Sequence, residues 1–278
     1  MIIWLASYPK SGNTWVRAFL SLLFSKTDYL NINDLKIEQF PQRHNFKNLT
    51  KNISDVNEFV KNCIHAQTKI NLDNKIKIFK THNAYWRSGN NYFTDTKNTL
   101  GCIYIVRDPR NVITSIKNHY SKDNTNDALK FIKNDKQFLG DLKNSILESD
   151  LPTVVSSWKN HFNSWKKIKT NYLLIKYENL LNNPEDEFLK ITNFLSKISD
   201  FKFNKEDIYK SIERTNFNYL QNQEKEIGFR EAVKDKFGNP IKFFNLGPKN
   251  NWKKILDESI AKDIEMNFKD EMEELGYL

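Results

Sequence analysis

The stretch Trp4-Leu-Ala-Ser-Tyr-Pro-Lys-Ser-Gly-Asn-Thr-Trp15 joins an apolar run to an amphipathic one through a short polar turn. The apolar run Ile2–Ala6 predicts a buried strand, and the periodicity predicts a helix from about Thr14 to Phe24. Backbone N–H groups at a helix start lack intrahelical partners, and the helix dipole favours anions there. Gly12 permits close approach of the backbone, and Lys10 adds a positive charge. The stretch therefore has the parts of a phosphate-binding turn.

This turn is not a Walker A loop, because the string G-x-x-x-x-G-K-[ST] occurs nowhere in the chain. A second interpretation stays open on these residues alone. In it, Ser11 and Asn13 only cap the helix, and the turn holds no ligand. The choice between a phosphate-binding turn and a helix cap without a ligand therefore depends on other segments of the chain.

The composition is that of a globular protein. The chain has 278 residues, of which 39% are apolar and 28% charged, enough for one large domain with a buried core. Such a composition excludes collagen, general disorder and coiled coils. Cys63 and Cys102 cannot form a disulfide framework, and no Cys/His cluster has zinc spacing. We therefore expect a cytoplasmic protein without a structural metal.

The charge and hydropathy patterns narrow the possible partners. The net charge is +9, which suits an anionic ligand but also a generic basic surface. The chain has no recognition-helix pattern and no aromatic–basic RNA-binding signature, so we expect no nucleic-acid partner. No apolar run reaches the roughly 20 residues of a transmembrane helix. Residues 1–24 lack a basic n-region and are interrupted by polar residues, so they belong to the fold.

Strand and helix patterns alternate along the chain. Strands are also predicted at Ile76–Phe79, Cys102–Val106 and Tyr172–Ile175. Helices are predicted from Pro109, over residues 126–169, over Pro184–Leu195 and from about Asp257 to Leu275. Residues 27–75 are predicted to form loops and short helices. The alternation indicates an α/β fold, a single domain over residues 1–278 with a central parallel sheet flanked by helices in three layers.

A phosphate-binding pair follows the strand at residues 102–106. Arg107 ends that strand, and Ser115 comes eight residues later on the next helix. A guanidinium binds phosphate bidentately, and a hydroxyl adds a directed hydrogen bond. Arg107 can instead form a structural ion pair with Asp108, which would be worth little at a surface.

A histidine follows the strand at residues 76–79, in the segment Phe79-Lys-Thr-His82. Active sites of parallel α/β sheets gather at the ends of their strands. The unperturbed pKa of histidine, near 6.5, suits proton abstraction from an alcohol. The sequence therefore predicts a general base at His82. The remaining histidines are interpreted as structural: His44, His65, His119 and His161.

Taken in order, these segments resemble the PAPS-dependent sulfotransferases of the cytosolic type, in which PAPS is 3′-phosphoadenosine-5′-phosphosulfate and PAP the product. Tyr8–Trp15 resembles the 5′-phosphosulfate loop of that family. Ile105–Ser115 resembles its 3′-phosphate site, and Phe79–His82 its Lys-Thr-His turn. The resemblance implies a P-loop-like fold, PAPS as donor, and no metal.

The resemblance also implies a role for each matching residue. His82 would take the proton from the acceptor, Lys10 would neutralise the leaving phosphate, and Lys80 would assist it. The adenine pocket would be formed by Trp15, Tyr177, Thr215 and Phe217. All the residues assigned to the nucleotide are Ser11, Gly12, Asn13, Thr14, Trp15, Arg107, Ser115, Tyr177, Thr215, Phe217, Gly247 and Lys249.

One segment departs from the family pattern. The family usually has Arg-Lys-Gly before its Trp-Lys pair, whereas this chain has Asn245-Leu246-Gly247. Lys249 or Lys242 can replace one of the missing cations. The dimer motif is also altered, to Asp257-Glu258, so the resemblance implies no oligomeric state.

Other functions stay open at this point. A nucleotide kinase would need a Walker-type lysine and a carboxylate for magnesium, and the chain shows neither arrangement. A non-catalytic PAP-binding module would not need both Lys10 and His82. The acceptor can be a small molecule, a lipid or a glycan. We expect residues 27–75, 120–150 and 222–245 to shape its pocket.

Overall fold

Strands and helices alternate along the chain in the computed structural model, which describes residues 1–53, 55–120, 124–140, 151–235 and 237–278. The strands are β1 Ile2–Ser7, β2 Lys77–Thr81, β3 Arg87–Ser88, β4 Asn91–Tyr92, β5 Thr99–Val106, β6 Phe138–Leu139, β7 Thr153–Val154 and β8 Asn171–Lys176. The helices are α1 Asn13–Ser25, α2 Val56–Ile70, α3 Pro109–His119, α4 Thr125–Lys133, α5 Trp158–Trp165, α6 Tyr177–Asn182, α7 Pro184–Ile198, α8 Lys205–Glu213, α9 Phe217–Ile227, α10 Trp252–Ile255, α11 Glu258–Asn267 and α12 Lys269–Glu274.

The central sheet has four strands in the order β2-β1-β5-β8, and every neighbouring pair is parallel. The four carboxyl ends therefore meet at one edge of the sheet. All six residues of β1 are buried, as expected of a strand covered on both faces.

The two faces of the sheet pack into separate cores. Trp4 points to one side, where its ring lies 5.1 Å from that of Phe93. Leu5 points to the other side, in a core where Phe19 of α1 and Phe188 of α7 stack 4.0 Å apart. Helices thus cover both faces of the sheet. The predicted three-layer α/β fold with a central parallel sheet is confirmed.

The prediction of loops and short helices over residues 27–75 is wrong where α2 lies. This helix has 15 residues and begins at Asp55, whose carboxylate accepts a hydrogen bond from Asn57 N. Its buried face consists of Phe59, Cys63, Ala66 and Gln67. Phe59, Val60, Cys63 and Ile70 recur at helical spacing and pack against the core, so the period that predicts a helix is present in the sequence.

The prediction of helix over residues 126–169 is partly wrong. Helix α4 ends at Lys133, and the chain then forms the antiparallel pair β6–β7 before α5. Residues 141–150 lie outside the described residues. Ser157 caps α5, and the side chains at positions 158, 162 and 165 are buried on one face, as the spacing predicts.

The predicted helix at the end of the chain, from Asp257 to Leu275, is two helices. Helix α11 ends before Phe268, whose ring is buried 5.3 Å from that of Trp158. Phe268 takes a φ of −121°, so the backbone leaves the helical region there and α12 starts in a new direction.

Among the described residues, no helix is long and apolar enough to cross a membrane.

An ion-pair network fixes the start of α3, directly after Arg107. Asp108 caps the helix by accepting a hydrogen bond from Arg110 N, and its carboxylate lies 2.7 Å from the Arg110 guanidinium. Arg110 also contacts Glu265 of α11 at 2.5 Å. Both Asp108 and Arg110 are buried. The network therefore ties the N-terminal end of α3 to α11.

We expect Asp108→Ala to lower the free energy of unfolding by about 3 kcal/mol, because it removes a cap and leaves a buried guanidinium short of a partner. Urea denaturation measures this. The matched control is Asn124→Ala at the exposed cap of α4, which should cost about 1 kcal/mol. Equal losses in the two variants would contradict the role of the buried network.

Candidate active site

Each strand of the central sheet ends just before a side chain that lines one shared cavity. The cavity has a volume of about 640 Å³. Lys10 follows β1, His82 follows β2, Arg107 follows β5 and Tyr177 follows β8, and all four line its wall. Because the strands are parallel, residues far apart in sequence converge at this edge.

The predicted phosphate turn depends on a glycine. Gly12 has a φ of +101°, and a Cβ added there would lie 2.4 Å from the ring of Tyr177. Asn13 ties the turn to β1, since its Nδ2 donates to Leu5 O at 3.1 Å and to Ser7 Oγ at 3.2 Å. The backbone at this site is therefore held close to Tyr177.

Several buried donors around the turn have no hydrogen-bond partner in the described part of the chain. They are Ser11 Oγ, Trp15 Nε1 and Arg107 Nε. Buried donors without partners are costly and rare in native proteins. A ligand with several anionic oxygens would supply acceptors beside the helix start. The residues present thus fit a phosphorylated nucleotide such as PAPS or PAP.

The structure brings Arg107 and Ser115 together. One guanidinium nitrogen of Arg107 donates to Ser115 Oγ at 3.2 Å and to Lys10 O at 3.0 Å. Asn250 Nδ2 also donates to Ser115 Oγ, at 3.2 Å. With both lone pairs of its oxygen engaged, the Ser115 hydroxyl keeps its own hydrogen for an anion.

The alternative interpretation of Arg107 does not apply, because Asp108 pairs with Arg110 instead. Within the described ranges no carboxylate lies within ion-pair distance of Arg107. Its guanidinium lies 4.2 Å above the ring of Tyr177. The charge of Arg107 is therefore not neutralised by a protein carboxylate.

Aromatic rings gather at the other side of the turn. The Trp15 ring lies 6.2 Å from that of Tyr177, edge to face. Gly247 has a φ of +50°, and a Cβ there would lie 2.2 Å from the ring of Phe217. The absence of a side chain at Gly12 and at Gly247 thus allows an aromatic ring that lines the cavity to approach the backbone closely. Aromatic rings in this arrangement suit the binding of a planar base.

His82 is held as one tautomer. Its Nδ1 lies 2.8 Å from Ser7 O, and a carbonyl can only accept, so Nδ1 carries the hydrogen. No described residue hydrogen-bonds Nε2, which therefore keeps its lone pair. Burial lowers the pKa of His82 well below 6.5, and the nearby Lys80 ammonium lowers it further. At neutral pH the ring is a neutral base facing the cavity.

Lys10 is a poorly hydrated cation. Burial, followed by the charges of Arg107 and Lys80, lowers the pKa of Lys10 to about 7. Its Nζ lies 3.5 Å from the centre of the Phe243 ring, a cation–π contact. The backbone at Lys10 is in the left-handed region, with a φ of +65°. An anion placed beside it would favour its charged form.

Lys80 is paired with a carboxylate from the C-terminal part of the chain. Its Nζ lies 3.4 Å from Glu231, and Glu231 lies 2.6 Å from Arg17. These two cations hold the pKa of Glu231 at about 2, against the effect of its burial. The carboxylate is therefore ionised at neutral pH.

Three residues assigned to the nucleotide do not line this cavity: Ser11, Thr215 and Lys249. Ser11 is fully buried within the turn. Thr215 is fully buried, and its hydroxyl donates to Ser211 O at 2.6 Å. Lys249 is exposed, as is Lys242. Neither lysine is part of the cavity wall that Asn245, Leu246 and Gly247 form. The replacement of the missing Arg-Lys pair by Lys249 or Lys242 stays a prediction.

The three segments expected to shape the acceptor pocket all contribute to the cavity wall. The contributing residues lie within 35–42 in the first segment, at 120, 139 and 140 in the second, and at 230–233 and 243–245 in the third. Residues 141–150 lie outside the described part. His119, interpreted above as structural, also lines the wall and contacts the Phe243 ring edge-on at 5.3 Å.

Sequence reasoning missed several residues of the site. They are Arg17, Glu231, Phe243 and Asn250. His161 lies outside the cavity wall, in agreement with its interpretation as structural. His161 is fully buried, with its Nε2 3.1 Å from His82 O and its Nδ1 2.7 Å from Tyr104 Oη. The sequence held one signal for the missed contacts. Arg17 lies on the buried face of α1, and a buried charge needs a partner of opposite charge.

Comparison with known proteins agrees with this geometry. The family described as sulfotransferase domain matches residues 2–276. A 3-beta-hydroxysteroid sulfotransferase of Cavia porcellus is 24% identical over 92% of this chain and 82% of its own length. Sulfotransferase 2A1 of Homo sapiens is 23% identical over 97% of this chain and 83% of its own.

Solved structures share the fold. A mouse sulfotransferase in complex with PAP superimposes with a TM-score of 0.59, at 21% identity over 97% of this chain and 83% of its own. Retinol dehydratase in complex with androsterone and PAP gives a TM-score of 0.62, at 18% identity over 98% of this chain and 80% of its own. The predicted P-loop-like fold, enzyme class and family are confirmed. Since the match extends over nearly the whole chain, this chain belongs to the sulfotransferase domain family.

Proposed function

We propose that the chain, as a single domain over residues 1–278, transfers a sulfuryl group from PAPS to a hydroxyl or amine of an acceptor. When bound, PAPS supplies the sulfuryl group and a 5′-phosphate leaving group. The observation that carries the proposal is the state of His82. Its Nδ1 is held by Ser7 O, its pKa lies below neutrality, and its Nε2 faces the cavity. These are the requirements of a general base.

In the proposed reaction, the acceptor oxygen bonds to sulfur as the bond between sulfur and the bridging oxygen breaks. His82 Nε2 takes the acceptor proton. Lys10 stabilises the electron pair that remains on the 5′-phosphate oxygen, and Lys80 assists it. Positioning and electrostatics of this kind supply most of the catalysis in group transfer between oxygens.

The nucleotide is proposed to lie against the residues that the cavity already groups. Ser11 and the backbone N–H groups of residues 12–15 would hold the 5′-phosphate. Arg107 and Ser115 would hold the 3′-phosphate, and Trp15 and Phe217 the adenine. Support comes from the unpartnered donors and from the hydrogen that Ser115 retains. The roles of Thr215 and Lys249 stay predictions from the resemblance.

The acceptor is proposed to be a small molecule, a lipid or a glycan. Relatives of this chain include proteins named for steroid, amine and luciferin substrates, so one fold serves chemically different acceptors. The mixture of polar and apolar side chains in residues 35–42 and 230–233 suits an acceptor that carries a hydroxyl.

We expect His82→Asn to lower kcat by about 10²–10⁴, because the acceptor proton loses its base. Transfer of label from ³⁵S-PAPS to a phenol, a sterol and an amino sugar measures the activity. The control is His65→Asn on the exposed face of α2, which should match the wild type. A loss under tenfold in His82→Asn would remove this residue from the role.

We expect Arg107→Ala to weaken PAP binding by about 10- to 100-fold, which corresponds to one lost charge-assisted hydrogen bond. Binding of ADP, which has no 3′-phosphate, should change less than threefold. Isothermal titration calorimetry measures both. Arg87→Ala, an exposed arginine away from the cavity, is the matched control. Equal weakening of PAP and ADP would contradict the 3′-phosphate assignment.

We expect PAP binding at pH 8 to take up protons. The pKa of Lys10 is about 7 in the free protein, so its amine is largely neutral at pH 8. A neighbouring phosphate favours the charged form, and uptake should approach about one proton per PAP. Calorimetry in buffers of different ionisation enthalpy measures this number. Lys10→Met should abolish the uptake, and the exposed Lys254→Met should leave it unchanged; similar uptake in Lys10→Met would rule out this site.

A further inference from the structure

Three charged side chains from distant parts of the chain form a network of two ion pairs beside the cavity. Arg17 lies on α1, Lys80 on β2, and Glu231 on the segment after α9. The Arg17 and Lys80 side chains are 6% and 8% exposed, and that of Glu231 is 34% exposed. The two oxygens of Glu231 are shared, one to each cation.

Arg17 fixes where the carboxylate lies. Its Nε donates to Ile37 O at 3.2 Å, and the other end of the guanidinium donates to Glu231 at 2.6 Å. The neighbouring Arg230 N donates to the side chain of Asn33 at 2.7 Å, which holds the same segment from its other side. Glu231 is thus positioned before any ligand arrives.

Lys80 needs such a partner, because its surroundings oppose its charge. Burial lowers the pKa of Lys80, the Glu231 carboxylate raises it, and Arg17 lowers it. The charged and titratable groups that face Lys80 from the surrounding elements are Lys10, Arg17, Glu38, His82, His119, Arg230 and Glu231. Of the two carboxylates, that of Glu231 contacts the Lys80 ammonium. The backbone carbonyl of Glu38 accepts a hydrogen bond from the Lys80 backbone N–H, and the side chain of Glu38 is mostly exposed.

Lys10 can be compared with Lys80, because both are buried lysines at the same site. It lines the same cavity, and an aromatic ring instead of a carboxylate covers its ammonium. The pKa of Lys10 is about 7. A cation here without a carboxylate contact is therefore close to losing its proton at neutral pH.

We propose that Glu231, anchored by Arg17, is a positioning residue for sulfuryl transfer that holds the Lys80 ammonium at the reaction centre and keeps it charged. The inference rests on the proposed function for the part that Lys80 plays. Glu231 itself touches neither donor nor acceptor in this scheme, and it acts through Lys80. The residue falls in a segment where the resemblance assigns no function.

The direct test is the titration of Lys80 in the protein without nucleotide. Chemical shifts of ¹³C-labelled lysine Cε are followed from pH 6 to 10.5, and the Lys80 signal is identified by its loss in Lys80→Met. In Glu231→Gln, the midpoint of Lys80 should fall by about one pH unit or more, because an opposite charge in contact is removed. Glu231→Asp keeps the charge and should stay nearer to the wild type than to Glu231→Gln.

The matched control is Glu226→Gln, a carboxylate on the exposed face of α9 with the same change of charge. Its Lys80 midpoint should equal that of the wild type. An unchanged midpoint in Glu231→Gln, or an equal fall in Glu226→Gln, would overturn the inference. Should Glu231→Gln fail to fold, Glu231→Ala replaces it, and its Lys80 midpoint should fall by about one pH unit or more. An unchanged midpoint in Glu231→Ala would overturn the inference in the same way.

PAP binding provides the second measurement. The ratio of the PAP Kd at pH 9 to that at pH 6.5 should be about tenfold larger in Glu231→Gln than in the wild type. In a Lys80→Met background, Glu231→Gln should change this ratio less than twofold, since the coupled partner is gone. A merely structural ion pair would weaken binding equally at both pH values, which would contradict the proposal. Absence of PAP binding in the wild type would overturn the proposed function, while the titration alone would still decide whether Glu231 sets the charge of Lys80.

Discussion

Four parallel strands end at the same edge of the sheet, and this arrangement brings the central chemical groups of the site together. The residues that follow the strands are Lys10, His82, Arg107 and Tyr177, one from each strand. A parallel sheet covered on both faces leaves this edge as the place where polar side chains can converge without disturbing a core. The two apolar cores on either side hold the strand ends in register.

This convergence of strand ends places several positive charges close together. Lys10, Lys80, Arg107 and Arg17 surround one cavity, and burial opposes each lysine charge. Three kinds of contact offset the repulsion and the burial of these cations. Phe243 covers Lys10, Tyr177 covers Arg107, and Glu231 pairs with Lys80 and Arg17. A doubly phosphorylated nucleotide would add the remaining negative charge, which makes the cavity electrostatically complementary to PAPS and PAP.

Local patterns were sufficient for the framework of the site. The strand, turn and helix around Gly12 are continuous in sequence, and Arg107 and Ser115 share one helix start, so their proximity follows from short-range geometry. The same holds for His82 at the end of β2. Helix α2 was missed although Phe59, Val60, Cys63 and Ile70 form an apolar stripe at helical spacing, because the segment as a whole is polar. Arg17 and Glu231 are 214 residues apart, and no local spacing can indicate such a contact.

Thermal unfolding with added nucleotide tests the central claim most directly, namely that this edge of the sheet is a site for a 3′,5′-bisphosphorylated adenosine. PAP at 100 times its Kd stabilises the folded state by about 2.7 kcal/mol, a rise in Tm of roughly 5–10 °C. The account predicts this rise with PAP, and a much smaller one with ADP or with ATP and magnesium at the same concentration. No rise with PAP, or an equal rise with ADP, would contradict it.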